Sequence, residues 1–89
     1  MNIFTVYVLR DKNGNLYKGV TGNLERRLQE HRRKRTITTR KMIDVKIVYT
    51  ETFSTFAVAR AREVYFKTAA GRRFLKTKID SSIGTRPND

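Results

Sequence analysis

Five side chains in this sequence are of the types that phosphoryl chemistry uses: the phenols of Tyr7 and Tyr17, the guanidinium of Arg27, the imidazole of His31 and the carboxylate of Glu63. Arg27 and His31 stand four residues apart, about one helical turn, so they project from one face beside Leu24 and Leu28. Such a pair can hold a phosphate in bidentate fashion and exchange protons beside it. It can equally be a solvated basic face. Glu63 falls in the stripe Phe56, Ala59, Glu63, Phe66, with spacings of three, four and three. A carboxylate within an apolar stripe must be paired, sit at an exposed rim, or bind a metal. Arg60, Arg62 and Lys67 are the nearby cations for pairing. The metal alternative is a hard divalent cation such as Mg²⁺, which needs only one or two carboxylates and takes water and phosphate oxygens as its other ligands. In a site of that kind the metal stabilises developing charge, Arg27 orients the phosphate, and a phenol or imidazole activates water.

These groups need elements to position them. Ile3 to Arg10 is β-branched and aromatic and predicts a strand. Asp11 to Asn15 contains an Asn-Gly pair suited to a hairpin turn, and Leu16 to Thr21 returns as a second strand. Alternation puts Tyr7 on a face with Thr5 and Leu9, and Tyr17 on a face with Gly19 and Thr21. A glycine inside a strand marks a bulge or a close approach, so Gly19 predicts that something comes near the main chain. Asn23 predicts an N-cap for a helix from Leu24 to about Lys34. Thr36 to Lys41 reads as a loop. Val45 to Thr52 reads as a third strand, with Val45, Ile47 and Tyr49 on one face. Ser54 or Thr55 caps a second helix from Phe56 to Lys67, Gly71 interrupts, and a short third helix covers Arg72 to Lys78. The expected order is β-β-α-β-α-α, forming one domain over residues 1–79 with a flexible tail over 80–89.

Composition narrows the classes. The 89 residues suffice for one domain with a modest core. There is no cysteine and a single histidine, which excludes disulfides, thiolate metal sites and His-rich zinc sites. No apolar run is long enough to span a bilayer and the N-terminus does not read as a signal peptide, so the expected location is cytoplasmic, without a membrane partner. Twenty Lys and Arg against eight Asp and Glu give a formal charge of +12, which points to an anionic polymer as partner. Arg32, Arg33, Lys34 and Arg35 run together, with Arg40 and Lys41 close behind. Together with Lys18 and Arg26 they are the expected nucleic-acid-binding residues.

At this point the residues resemble those of the GIY-YIG nuclease family. The first motif corresponds to Thr5-Val6-Tyr7 and the second to Tyr17-Lys18-Gly19; the run from Gly19 through Arg27 to His31 is very close to the family's entry into its first helix. Thr39-Arg40-Lys41, the strand Lys46 to Tyr49 with Glu51, and Ala57 through Arg62 and Glu63 to Lys67 correspond to later blocks. The resemblance extends over residues 3–78, and the short, asparagine-free ending resembles a subgroup of small stand-alone members. It extends also to the N-terminal catalytic domain of the excinuclease and to homing-endonuclease catalytic domains.

The resemblance implies an α+β fold, a three-stranded antiparallel sheet flanked by helices, carrying one metal-dependent site. By position, Tyr7 is the general base or water activator, Tyr17 and His31 are its proton-relay neighbours, Arg27 stabilises the phosphate, and Glu63 is the one protein ligand of Mg²⁺, with Mn²⁺ able to substitute. The expected activity is hydrolysis of nucleic-acid phosphodiesters, DNA rather than RNA, by a monomer. Three departures stand out: Thr5-Val6 replaces Gly-Ile, Lys18 replaces an apolar residue, and no asparagine follows the second long helix before Asn88. Two rival readings use the same residues differently. One is a binding module of the same fold without cleavage, and the other is a small basic structural protein such as a ribosome-associated one. A carboxylate among phosphate-binding cations sets the enzyme apart, because a pure binder has no use for it.

Overall fold

Antiparallel pairing of the first two strands through a tight turn fixes the architecture. A computed structural model describes residues 3–33 and 45–83. β1 (Phe4–Arg10) and β2 (Leu16–Thr21) form a hairpin, and β3 (Lys46–Phe53) adds to the other edge of β1, giving a sheet in the order β2-β1-β3. α1 (Leu24–Arg32) follows the hairpin, and α2 (Phe56–Phe66) and α3 (Ala69–Ile83) follow the third strand. The fold is the expected α+β arrangement of a three-stranded antiparallel sheet with helices.

Local chemistry accounts for each junction. The buried Asp11 organises the hairpin turn: its Oδ1 accepts from the Asn13 and Asn15 backbone N–H groups, and Gly14 closes the turn with φ 89°, a left-handed conformation that favours glycine. Asn23 caps α1 by accepting from Arg26 N–H at 3.0 Å. At α2 the cap is Thr55, which accepts from Val58 N–H.

Strand alternation then sorts the two faces of the sheet. Val6 and Val8 pack with Ala59, Phe66, Leu75 and Ile79 in a core between the sheet and the last two helices. The alternate residues Tyr7 and Leu9, also fully buried, turn to the opposite face, where α1 supplies Arg27 and His31. The register sets Tyr7 opposite Gly19 and Leu9 opposite Tyr17, so the two tyrosines share that face.

Three expectations need correction. The alternation predicted for the third strand breaks at a register shift, where Val8 pairs with Tyr49 and Leu9 with Ile47. Val48 and Tyr49 therefore both pack against the core while Ile47 is left exposed. Gly71 does not interrupt the helices; it lies within the first turn of α3. A Cβ there would fall 1.9 Å from the Tyr65 carbonyl oxygen, so the absence of a side chain lets the end of α2 and the start of α3 touch backbone to backbone. The last helix accordingly begins at Ala69 rather than Arg72, and it continues to Ile83. Phe56 is half exposed at the rim, although Ala59, Glu63 and Phe66 of the same stripe are buried.

Candidate active site

The centre of the site is the Tyr7 hydroxyl. It lies 2.9 Å from His31 Nε2 and accepts from Arg27 Nε–H at 3.3 Å. Three elements meet to produce this: Tyr7 projects from the middle of β1, Arg27 and His31 project from one face of α1, and Gly19 of β2 leaves room. A Cβ at Gly19 would lie 2.5 Å from the Tyr7 hydroxyl oxygen and 2.6 Å from Cζ. The close approach expected at Gly19 is made by Tyr7 itself. Tyr17 completes the group, its ring centroid 4.8 Å from that of His31 and 6.2 Å from that of Tyr7.

The electrostatics give the contacts a direction. Burial pushes the Tyr7 phenol up to about 12, against the opposing pull of Arg27, so it is neutral at physiological pH. Burial, reinforced by the Arg27 charge, lowers the His31 imidazole below its ordinary range, so the ring is neutral as well. Arg27 is held firmly protonated by the Tyr7 hydroxyl and by Glu30, whose carboxylate receives Arg27 Nη1 at 2.8 Å. With Arg27 as donor to the Tyr7 oxygen, the phenol's own proton goes to His31 Nε2 in the tautomer that leaves that nitrogen unprotonated. In that tautomer the donors run in a chain from guanidinium to phenol to imidazole. A water against the phenol oxygen could lose a proton along it. Glu30 was not among the expected site residues; its spacing of three from Arg27 was the available signal.

Glu63 is 5% exposed, and its carboxylate is paired with Arg60 and with Lys67 Nζ, the latter at 3.2 Å. Two of the three anticipated partners are thus the real ones. The third, Arg62, instead makes a two-point contact with Glu51 and lies over the rings of Tyr65, Phe66 and Phe74. Among the described residues no three metal-ligating side chains gather, so a cation held at Glu63 would take most of its ligands from water and phosphate. The residues fit that role. The carboxylate is shielded while Arg60 and Lys67 are 53% and 54% exposed, long side chains that can swing to solvent and yield the oxygens to a hard divalent ion.

The basic residues divide. Arg26 and Arg32 are exposed on α1 and Arg33 is exposed at its C-cap, whereas Lys34, Arg35, Arg40 and Lys41 lie outside the described residues. Lys18, opposite Val8 in the register, turns to the α2 and α3 side and is half buried. None of the described helices is long and apolar enough to cross a membrane.

The sheet order and the tyrosine, arginine and histidine group define a class. Residues 3–77 match the GIY-YIG catalytic domain, and this chain belongs to the GIY-YIG family, whose members are generally nucleases that act on nucleic acid and typically use divalent metals. Within that class it is similar to a UPF0213 protein of Bacillus licheniformis, 36% identical over 85 residues that span 91% of this chain and 88% of the relative. A UPF0213 protein of Clostridium perfringens is 37% identical over 79 residues, 88% of this chain and 85% of the relative. Among solved structures, the solution NMR structure of a UPF0213 protein from Bacillus halodurans superposes with a TM-score of 0.54 at 26% identity, covering 84% of this chain and 83% of that one.

Proposed function

We propose that this protein is an endonuclease that hydrolyses phosphodiester bonds in nucleic acid, DNA in preference to RNA, with one divalent metal, Mg²⁺ or Mn²⁺, held by Glu63. The observation that carries this reading is the buried Tyr7 hydroxyl held between Arg27 Nε and His31 Nε2. A purely structural tyrosine needs one partner; this one has a fixed donor on one side and a neutral imidazole on the other.

In the reaction, a water beside the Tyr7 oxygen gives up a proton to it as the Tyr7 proton passes to His31 Nε2. The oxygen so activated attacks phosphorus, the bond to the leaving oxygen breaks, and that oxygen takes a proton from solvent. Arg27 stays charged throughout and faces the charge that builds on the phosphate. The Tyr17 ring packs on His31 and holds it in line with the phenol. When bound at Glu63, the metal supplies Lewis-acid stabilisation of the phosphate oxygens.

One observation favours a second reading. Both Glu63 oxygens are engaged by Arg60 and Lys67, as in a module that binds nucleic acid without cutting it. The two readings separate in one assay, in which labelled single-stranded DNA, duplex DNA and RNA are incubated with Mg²⁺, Mn²⁺ or EDTA. Cleavage of DNA with metal, none in EDTA, and none by Glu63→Gln of unchanged thermal stability are the expected results. Binding without cleavage under every condition establishes the module, and full activity of Glu63→Gln removes the metal from that residue.

A further inference from the structure

Away from the tyrosines, at the turn end of the hairpin, a cleft of about 360 Å³ opens between the hairpin and α3, lined by Arg10, Gly14, Leu16, Arg72, Lys76 and Ile79. Three of the six are cations and none is an acid. Arg72 and Lys76 are four apart on one helical face, a spacing at which like charges repel, and the fold brings Arg10 from the end of β1 to join them. Among the described residues none of the three is in an ion pair; those pairs use Arg27, Arg60, Arg62 and Lys67. The acid next to Arg10 in sequence, Asp11, is consumed by its own turn, where it accepts from Asn13 N–H at 2.9 Å, Asn15 N–H at 2.8 Å and Asn15 Nδ2 at 3.0 Å. Positive charge converges here, and no acid lines the cleft.

We propose that this cleft is a second phosphate-binding site, which seats a backbone phosphate of the nucleic acid at a distance from the bond that is cut. The identity of the ligand rests on the reading of the protein as a nucleic-acid enzyme. The walls suit a nucleotide: Arg10, Lys76 and Arg72, whose Nη1 also donates to the Lys67 carbonyl at 2.8 Å, supply the charge for a phosphate, and the apolar sides of Leu16 and Ile79 can cover a sugar. Continuity with the rest of the molecule supports the assignment. Lys18 lies on the same side of the sheet, and its ammonium is lowered by burial and then by the charges of Arg72 and Lys67. Lys67 in turn holds Glu63. Lys18 therefore feels cations on both sides, Arg72 from the cleft and Lys67 beside the carboxylate. The cleft site also gives Lys18 a purpose on the face opposite Tyr17.

The test is binding of a fluorescent single-stranded oligonucleotide, measured by anisotropy in EDTA over a range of KCl, so that its outcome does not depend on whether the protein cuts. Arg10→Gln combined with Lys76→Gln is compared with Lys12→Gln combined with Arg73→Gln, a charge-matched pair that does not line the cleft. The first pair is expected to lose about tenfold in affinity, with the slope of log K against log salt reduced by about one; the second is expected to keep the wild-type slope. Equal losses in both pairs overturn the site. A measurement on the unaltered protein stands beside it: titration with the same oligonucleotide should shift the amide resonances of Gly14 and Leu16, and resonances that stay fixed at saturation overturn the proposal even if the variants fail to fold.

Discussion

At the scale of single residues the site's chemistry turns on protons. His31 is buried beside a guanidinium, and its imidazole is lowered, so the folded protein resists charging it. The unfolded chain carries the ordinary value of 6.5. As pH falls below that value the unfolded state takes up a proton that the folded state refuses, so stability declines until the folded imidazole itself titrates. The melting temperature is therefore expected to drop as pH falls below about 6.5, and His31→Gln is expected to lack that contribution. Catalysis should follow the same group: the rate falls as His31 takes on charge, because its lone pair is then no longer available to the Tyr7 proton. A melting profile that His31→Gln leaves unaltered in the acid range contradicts a lowered, buried imidazole. Tyr7 behaves in the opposite sense. Its phenol is raised from 10.0 to about 12, so the stability linked to it is intact below the lower value and is lost as pH climbs between the two.

At the scale of elements, the site depends on strand-to-strand clearance. Gly19→Ala would drive a methyl into the Tyr7 hydroxyl and ring, and the phenol would have to leave its place between Arg27 and His31. Cleavage is expected to fall about 10²-fold, the size of effect that a misplacement of about 1 Å can produce, while circular dichroism stays native. Wild-type rates in Gly19→Ala would show that Tyr7 need not sit where it does. Much of this level was legible in the residues. The hairpin was visible from its turn chemistry, α1 and α2 from their caps, and the unusual place of Glu63 from its apolar neighbours. What escaped reading depended on contacts distant in sequence. The register shift that turns both Val48 and Tyr49 inward arises from pairing with β1, and no property of the strand alone announces it. Gly71 looks like a helix breaker by propensity, yet packing against Tyr65 and Phe66 decides its role. The cations at Arg10, Arg72 and Lys76 are scattered along the chain and converge only once it is folded.

At the scale of the whole molecule, a charge of +12 on 89 residues ensures attraction to polyanions, and attraction alone does not distinguish a nuclease from a binder. The difference lies in what a substitution changes. With so many cations present, removing one hydroxyl or one guanidinium at the site should barely alter binding, whereas a transition state that relies on them should suffer directly. The most direct measurement is therefore the single-turnover cleavage rate of Tyr7→Phe on labelled DNA with Mg²⁺, read beside its affinity for the same DNA in EDTA, with Arg27→Ala as companion. Tyr7→Phe is expected to keep the fold and the affinity and to lose about 10²-fold or more in rate, and Arg27→Ala to lose a comparable factor with only modest weakening of binding. A Tyr7→Phe protein that cuts as fast as the unaltered one, or whose rate, affinity and stability all fall together, would contradict the assignment of Tyr7 to the chemistry.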